Sequence, residues 1–179
     1  MDTSTLENIA EDYISHRLQK GGLLVAKPKN DRLGTDLLVF CEIDDGVKFC
    51  RVQAKGRSFA TSNKTNIRIP KNYVTNGFVL FLYLEVSESV FESEARLYIF
   101  FPQEINQWWL TQKNEYQLNL SLTNYEKKLK LNRFSLDKIN QLKIVIKTAE
   151  IHGEFKRMAS ITANQLEEGD TQQANITVG

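Results

Sequence analysis

The chain has 179 residues, 41% of them hydrophobic, enough for one domain with a sizeable core and a short appendage at most. Two cysteines are too few for a disulfide framework, and with only two histidines beside them they read as packing residues. No run is long and apolar enough to span a bilayer, and the acidic start MDTSTLENIAEDY is unlike a signal peptide. A cytoplasmic protein with no membrane partner is therefore expected.

The chain opens with a helix. Ser4-Thr5-Leu6-Glu7 fits a capping box, and Leu6, Ile9, Ala10, Tyr13, Ile14 and Leu18 recur at helical spacing to form an apolar stripe that Gly21 and Gly22 end. On a helical wheel Glu11 stands about 20° from Leu18, at the border of that stripe. Residues 23–26 predict a short strand, which feeds the polar turn KPKNDRLG.

The next stretch, GTDLLVFCEIDDGVKFCRVQAK, predicts a β-hairpin with a two-residue turn at Asp45-Gly46. In that register Asp36 faces Lys55, Leu38 faces Gln53 and Cys41 faces Cys50. Alternation puts Leu37, Val39, Cys41, Ile43, Cys50, Val52 and Ala54 on one apolar face. The opposite face gathers Asp36, Gln53 and Lys55 at its open end, where a purely structural sheet has no use for a carboxylate, an amide and an ammonium.

After the hairpin, GRSFATSNKTN reads as a flexible polar loop, followed by IRIP and KNYVTNG. Residues 78–86, FVLFLYLEV, predict a central strand buried on both faces, and residues 94–101 the next strand. Pro102 opens a short helix whose Trp108 and Trp109 are expected to cover the sheet, with base stacking as the alternative. YQLNLSL, a turn around Asn124 and KLKLN suggest a second hairpin. Helices are expected from Ser135 through SLDKINQLKIVIKTAE and in FKRMASITANQL, before a polar, disordered tail at 167–179. The domain spans 1–166, with its core at about 4–110 and a C-terminal elaboration at about 111–166. Neither His16 nor His152 is assigned a role.

Charge is unevenly spread. Residues 1–45 hold five Lys/Arg against nine Asp/Glu, whereas residues 47–84 hold seven Lys/Arg and no acid. A basic segment that begins inside the hairpin is the local field a polyanionic substrate requires; without the motif it would read as solvated surface charge.

Asp36, followed across the hairpin by Gln53-Ala54-Lys55, resembles the metal-binding motif of the PD-(D/E)XK nuclease superfamily in its QxK variant. Similar patterns occur in methyl-directed type IV restriction enzymes and some intron-encoded homing endonucleases, while archaeal Holliday-junction resolvases show the ExK form. The match covers roughly the first hundred residues. It departs from the pattern at Thr35, where a Pro often stands, and at Gln53, where an acid is usual.

The resemblance implies an α/β fold with a restriction-endonuclease-like core: a central mixed sheet flanked by helices, here with a C-terminal hairpin and helices added. It also implies a metal-dependent endonuclease acting on DNA with Mg²⁺ or Mn²⁺. Asp36 would be the principal metal ligand, joined by the Gln53 amide oxygen, the Ala54 backbone carbonyl and Glu11 of the first helix, directly or through water. In resembling nucleases the helix acid stands about ten residues before a Gly, as Glu11 stands before Gly21. Glu7 is the competing choice, though the capping box accounts for it. Lys55 would orient the attacking water and offset charge on the phosphate. Lys27, Lys29 and Arg32 before Asp36, and Arg57, Ser58, Lys64 and Arg68 after Lys55, are candidate nucleic-acid contacts.

Three alternatives stay open. Asp36 and Lys55 could form a plain cross-strand ion pair with Gln53 incidental. The chain could be an inactive nuclease-fold module that binds nucleic acid or a protein. RNA could replace DNA as substrate. One small site cuts one strand, so double-strand cleavage implies a homodimer or higher oligomer.

Overall fold

The computed structural model describes residues 3–30, 34–44, 46–60, 62–86 and 95–148; the helix expected at 155–166 and the tail at 167–179 lie outside them. In chain order the elements are α1 (Thr3–Lys20), β1 (Leu24–Ala26), β2 (Leu37–Ile43), β3 (Gly46–Ser58), β4 (Lys64–Pro70), β5 (Phe78–Glu85), β6 (Ala95–Phe100), α2 (Pro102–Ile105), β7 (Trp109–Leu110), β8 (Glu115–Ser121), α3 (Tyr125–Leu129) and α4 (Leu136–Thr148). This is a mixed α/β fold. No helix among the described residues is long and apolar enough to cross a membrane.

The central sheet has five strands in the order β1-β2-β3-β5-β6, with β3 and β5 parallel and every other neighbour antiparallel. The parallel pair follows from the excursion between them: β4 leaves to join β8 and β7 in a second, antiparallel sheet of order β4-β8-β7.

α1 turns Leu6, Ala10, Ile14 and Leu18 inward at i, i+4 spacing, while Ile9 lies partly exposed. With Ile139, Leu142 and Ile146 of α4, these residues cover one face of the central sheet, packing on Val52, Ala54, Val79, Phe81 and Tyr83. The other face carries Phe78, Leu80, Leu82 and Leu84 against Ile67 and Ile69 of β4, Leu120 of β8 and Leu129 of α3. β5 is thus covered on both sides, which is why its sequence is continuously apolar rather than alternating.

Four expectations are corrected. The β2–β3 hairpin pairs Val39 with Cys50, Cys41 with Lys48 and Ile43 with Gly46, a register two residues from the expected one. Gly46 is already the first residue of β3, with φ +142, so Cys41 and Cys50 are not opposite and both are free thiols. A shift of two preserves facing, because side chains alternate with period two. The apolar face survives, with Cys50, Val52 and Ala54 buried.

Second, α1 already includes Thr3, so Ser4 lies inside the helix and not at its N-cap position. Third, KLKLN is not a strand: Tyr125–Leu129 is helical and residues 130–132 form a 3-10 turn, with Tyr125 and Leu129 buried one helical turn apart. Fourth, the expected loop after Lys55 is mostly strand, since β3 runs to Ser58 and β4 begins at Lys64.

Candidate active site

β3 serves two partners in succession. Its ladder with β2 ends at Leu37 and Val52, whereas its ladder with β5 runs from Arg51 to Ser58. Gln53, Ala54 and Lys55 therefore stand where β2 and β3 part. Asp36 precedes β2 at this fork, held twice: its backbone N–H donates to the Val52 carbonyl at 2.9 Å, and its Oδ2 accepts from the Ala54 N–H at 2.6 Å. A hydrogen bond to a carboxylate is of the stronger, charge-assisted kind, so the Asp36 side chain is oriented before anything binds.

Gln53 is only 6% exposed. Its amide packs against a backbone with room for no side chain: a Cβ on Gly34, whose φ is +64, would stand 2.9 Å from Gln53 Nε2 and 2.5 Å from the Tyr73 ring. Gln53 Oε1 is buried without a hydrogen-bond partner. A buried acceptor left unpaired is costly and rare, so the Gln53 oxygen is open to a donor or a cation.

α1 brings two carboxylates to the fork, and a second glycine sets their distance. A Cβ on Gly56 would meet the Leu6 carbonyl oxygen at 2.7 Å, so the helix lies directly on the strand. Glu7, the next residue, reaches across β3: its Oε1 lies 3.4 Å from Lys55 Nζ and 3.5 Å from Arg57 Nη1. Arg57 also donates to the Gly56 carbonyl at 2.7 Å and, through Nε, to the Asn66 carbonyl of β4 at 2.9 Å.

One turn on, the Glu11 carboxylate is largely buried and its Oε2 lies 2.5 Å from Lys27 Nζ. That oxygen has no hydrogen bond of regular geometry, so the ion pair is its compensation. The close side-chain contact with Glu11 raises the pKa of Lys27; burial opposes this, and the charges of Glu11, Asp12 and Asp36 add to it. Lys27 thus sits in the field of both Glu11 and Asp36.

Asp36, just before β2, and Gln53, on β3, each carry a hard oxygen at the fork. Mg²⁺ is commonly held by one or two carboxylates while it keeps several waters, so this pair fits an ion of that kind, with Glu11 in reserve behind Lys27. Among the described residues no three His, Cys, Asp or Glu side chains cluster tightly enough to hold an ion by themselves.

The expected nucleic-acid contacts divide. Lys29 is exposed and Lys27 is engaged with Glu11. Arg57 ties β3 to β4, and Ser58 Oγ accepts from the Ala60 N–H at 3.0 Å, closing a turn. Lys64 and Arg68 lie on the outer face of β4, and Arg68 donates to Gln117 Oε1 at 2.9 Å. Arg32 lies outside the described residues.

Sequence reasoning missed Gly34, Gly56 and the Glu7 contact. The glycine inside QAKGRS was the available signal, since glycine within a strand marks a close approach of another backbone. The tryptophans also divide: Trp108 stacks edge-on against Phe100 at 5.1 Å, whereas Trp109 is 62% exposed.

Fold and site together define a mixed α/β protein with a carboxylate, an amide and an ammonium gathered at a fork in its central sheet. No protein-family model and no curated protein sequence matches the chain. Among solved structures it is similar to a bacterial homing endonuclease, I-Ssp6803I, at 18% identity and a TM-score of 0.42, over 67% of this chain and 75% of that one.

Proposed function

We propose that the chain is a metal-dependent endonuclease that hydrolyses DNA phosphodiester bonds, a PD-(D/E)XK nuclease of the QxK kind. The observation that carries the proposal is the buried, unpartnered Gln53 Oε1, next in sequence to the Ala54 N–H that fixes the Asp36 carboxylate. A structural sheet gains nothing from a buried amide oxygen with no donor. A site built to receive a hard cation does.

Hydrolysis attaches water to phosphorus and breaks the bond to a sugar oxygen, and negative charge on the phosphate must be offset along the way. A bound Mg²⁺ or Mn²⁺ supplies Lewis acidity and lowers the pKa of a coordinated water. Asp36, Gln53 Oε1 and the Ala54 carbonyl would hold the ion, joined by Glu11 directly or through water. Lys55, steadied by Glu7, orients the attacking water and faces the phosphate charge. Lys29, Arg57 and Lys64 extend the positive field along the strand path. The substrate is DNA, and because one such site cuts one strand, double-strand cleavage takes a homodimer or higher oligomer.

One observation favours a second reading. Lys55 and Lys27 are each paired with a helix carboxylate, an arrangement that also suits a module that binds nucleic acid without turning it over. Cleavage assays decide between them. Supercoiled plasmid, branched DNA, single-stranded DNA and RNA are incubated with Mg²⁺ or Mn²⁺ and wild type, Asp36→Ala or Lys55→Ala. Metal-dependent nicking or linearisation of DNA, lost in both variants, is expected. No cleavage of any substrate, with all three proteins binding DNA alike, overturns the nuclease and leaves the binding module.

A further inference from the structure

The second sheet has an outer face that its core does not explain. β4 and β8 pair Arg68 with Gln117, Asn66 with Asn119 and Lys64 with Ser121, and β7 sets Trp109 beside Gln117. The alternate residues Ile67, Ile69, Tyr116 and Leu120 are buried against the central sheet, so this row faces solvent.

Its chemistry is narrow. Arg68 Nε donates to Gln117 Oε1 at 2.9 Å, and Gln117 Nε2 donates to Asn119 Oδ1 at 2.7 Å, a ladder of planar groups held in register. Lys128 of α3 reaches the Asn119 carbonyl at 2.9 Å and adds a third cation to Lys64 and Arg68. The carboxylate in this row, Glu115, lies at its far end opposite Pro70. A merely solvated antiparallel face has no need of such a bias toward amides and cations, or of a tryptophan 62% exposed.

We infer that the outer face of β4 and β8 is a reading surface for duplex DNA, docking as a ribbon in the major groove. The inference rests on the nuclease proposal for its substrate and goes beyond it by assigning recognition to a different sheet. Two adjacent strands carrying seven residues each make a ribbon of the width and length that B-DNA's major groove admits. Gln and Asn present the paired donor and acceptor that match adenine, and Arg the fork that matches guanine. The three cations complement the flanking phosphates. The face is joined to the site: Arg57, two residues past Lys55, donates to the Asn66 carbonyl, so the ribbon's position fixes where the scissile phosphate falls.

The full chain is tested in EDTA, where binding is separated from cleavage, by selection from a pool of randomised duplexes and by titration of the selected site. Wild type is compared with Gln117→Ala/Asn119→Ala and with Lys64→Ala/Arg68→Ala, each shown by circular dichroism to be folded. The first variant is expected to lose about ten-fold or more in discrimination at two neighbouring base pairs, with little change in salt dependence. The second is expected to bind more weakly and with a shallower salt slope. Folded variants that select the same site as a wild type that cleaves DNA overturn the reading surface and leave the nuclease standing. Loss of single-stranded DNA or RNA binding alone, with duplex selection unchanged, also overturns it. A wild type that neither binds nor cleaves DNA overturns both.

Discussion

Asp36 and Ala54 are joined by a 2.6 Å hydrogen bond, carboxylate Oδ2 to backbone N–H, at the point where β2 and β3 part. The strand that carries the amide and the lysine thereby orients the acid. Asp36→Ala leaves the Ala54 N–H without this acceptor in a part-buried position, a loss of about 1–3 kcal/mol, whereas Asn keeps an oxygen there and loses less. Both variants are expected to lose cleavage. Urea unfolding checks the stability order, and equal stability of Asp36→Ala and wild type would show that the bond carries no weight.

Gln53 is expected to limit stability until its oxygen is satisfied. Gln53→Leu removes the orphaned acceptor and should melt at or above the wild-type temperature in EDTA. Mg²⁺ or Mn²⁺ should raise the wild-type midpoint, by about 2.7 kcal/mol of stabilisation at a hundred times Kd, and leave Gln53→Leu unmoved. Metal-induced stabilisation that survives in Gln53→Leu would remove the amide from the site.

The two helix acids are expected to separate by assay. Glu11→Gln should raise the metal concentration needed for half-maximal cleavage, because the proposed site loses a carboxylate, which here pairs with Lys27. Glu7→Gln should leave the metal titration in place and slow turnover, because what it steadies is Lys55. The reverse pattern would exchange their roles.

Gly56→Ala is expected to cost about 1–3 kcal/mol, as over-packing generally does, because its methyl meets the Leu6 backbone, which has no rotamer to yield. Chemical denaturation measures this. A variant of wild-type stability would mean that α1 shifts freely on β3.

Cys50 gives a pH prediction. Burial pushes its thiol from an ordinary 9.0 up to about 12, so the folded state retains a proton that the unfolded state releases. Stability from this group is complete below pH 9 and declines between about 9 and about 12, by at most about 1.4 kcal/mol per pH unit. Cys50→Ala should flatten the alkaline limb of the stability curve relative to wild type. Parallel limbs in the two proteins would show that the thiol titrates alike in the folded and unfolded states.

What the sequence determined by itself was periodicity. The i, i+4 run of Leu6, Ala10, Ile14 and Leu18 was sufficient for α1, and the unbroken apolar stretch at 78–86 for a strand covered on both faces, because each pattern has one arrangement that buries it. The expected facing of the paired strand residues survived a register error, because a slip of two residues leaves every side chain on its own face, but the expected opposition of Leu38 to Gln53 did not, since Leu38 pairs with Arg51. KLKLN was misread because two leucines in five residues satisfy a strand or a short helix equally, and the packing of Tyr125 and Leu129 chose the helix.

Only the tertiary structure decided which groups meet. Glu7 was accounted for by a local capping box and instead reaches Lys55, 48 residues away, because Gly56 lets α1 lie against β3. Gln53 became informative once its oxygen was seen to be buried and unpaired, a property of its surroundings and not of its place in a motif. Local pattern fixes which face a side chain takes, since that depends on backbone geometry alone. What stands opposite it depends on how closely two backbones approach, and that is set by side chains distant in sequence.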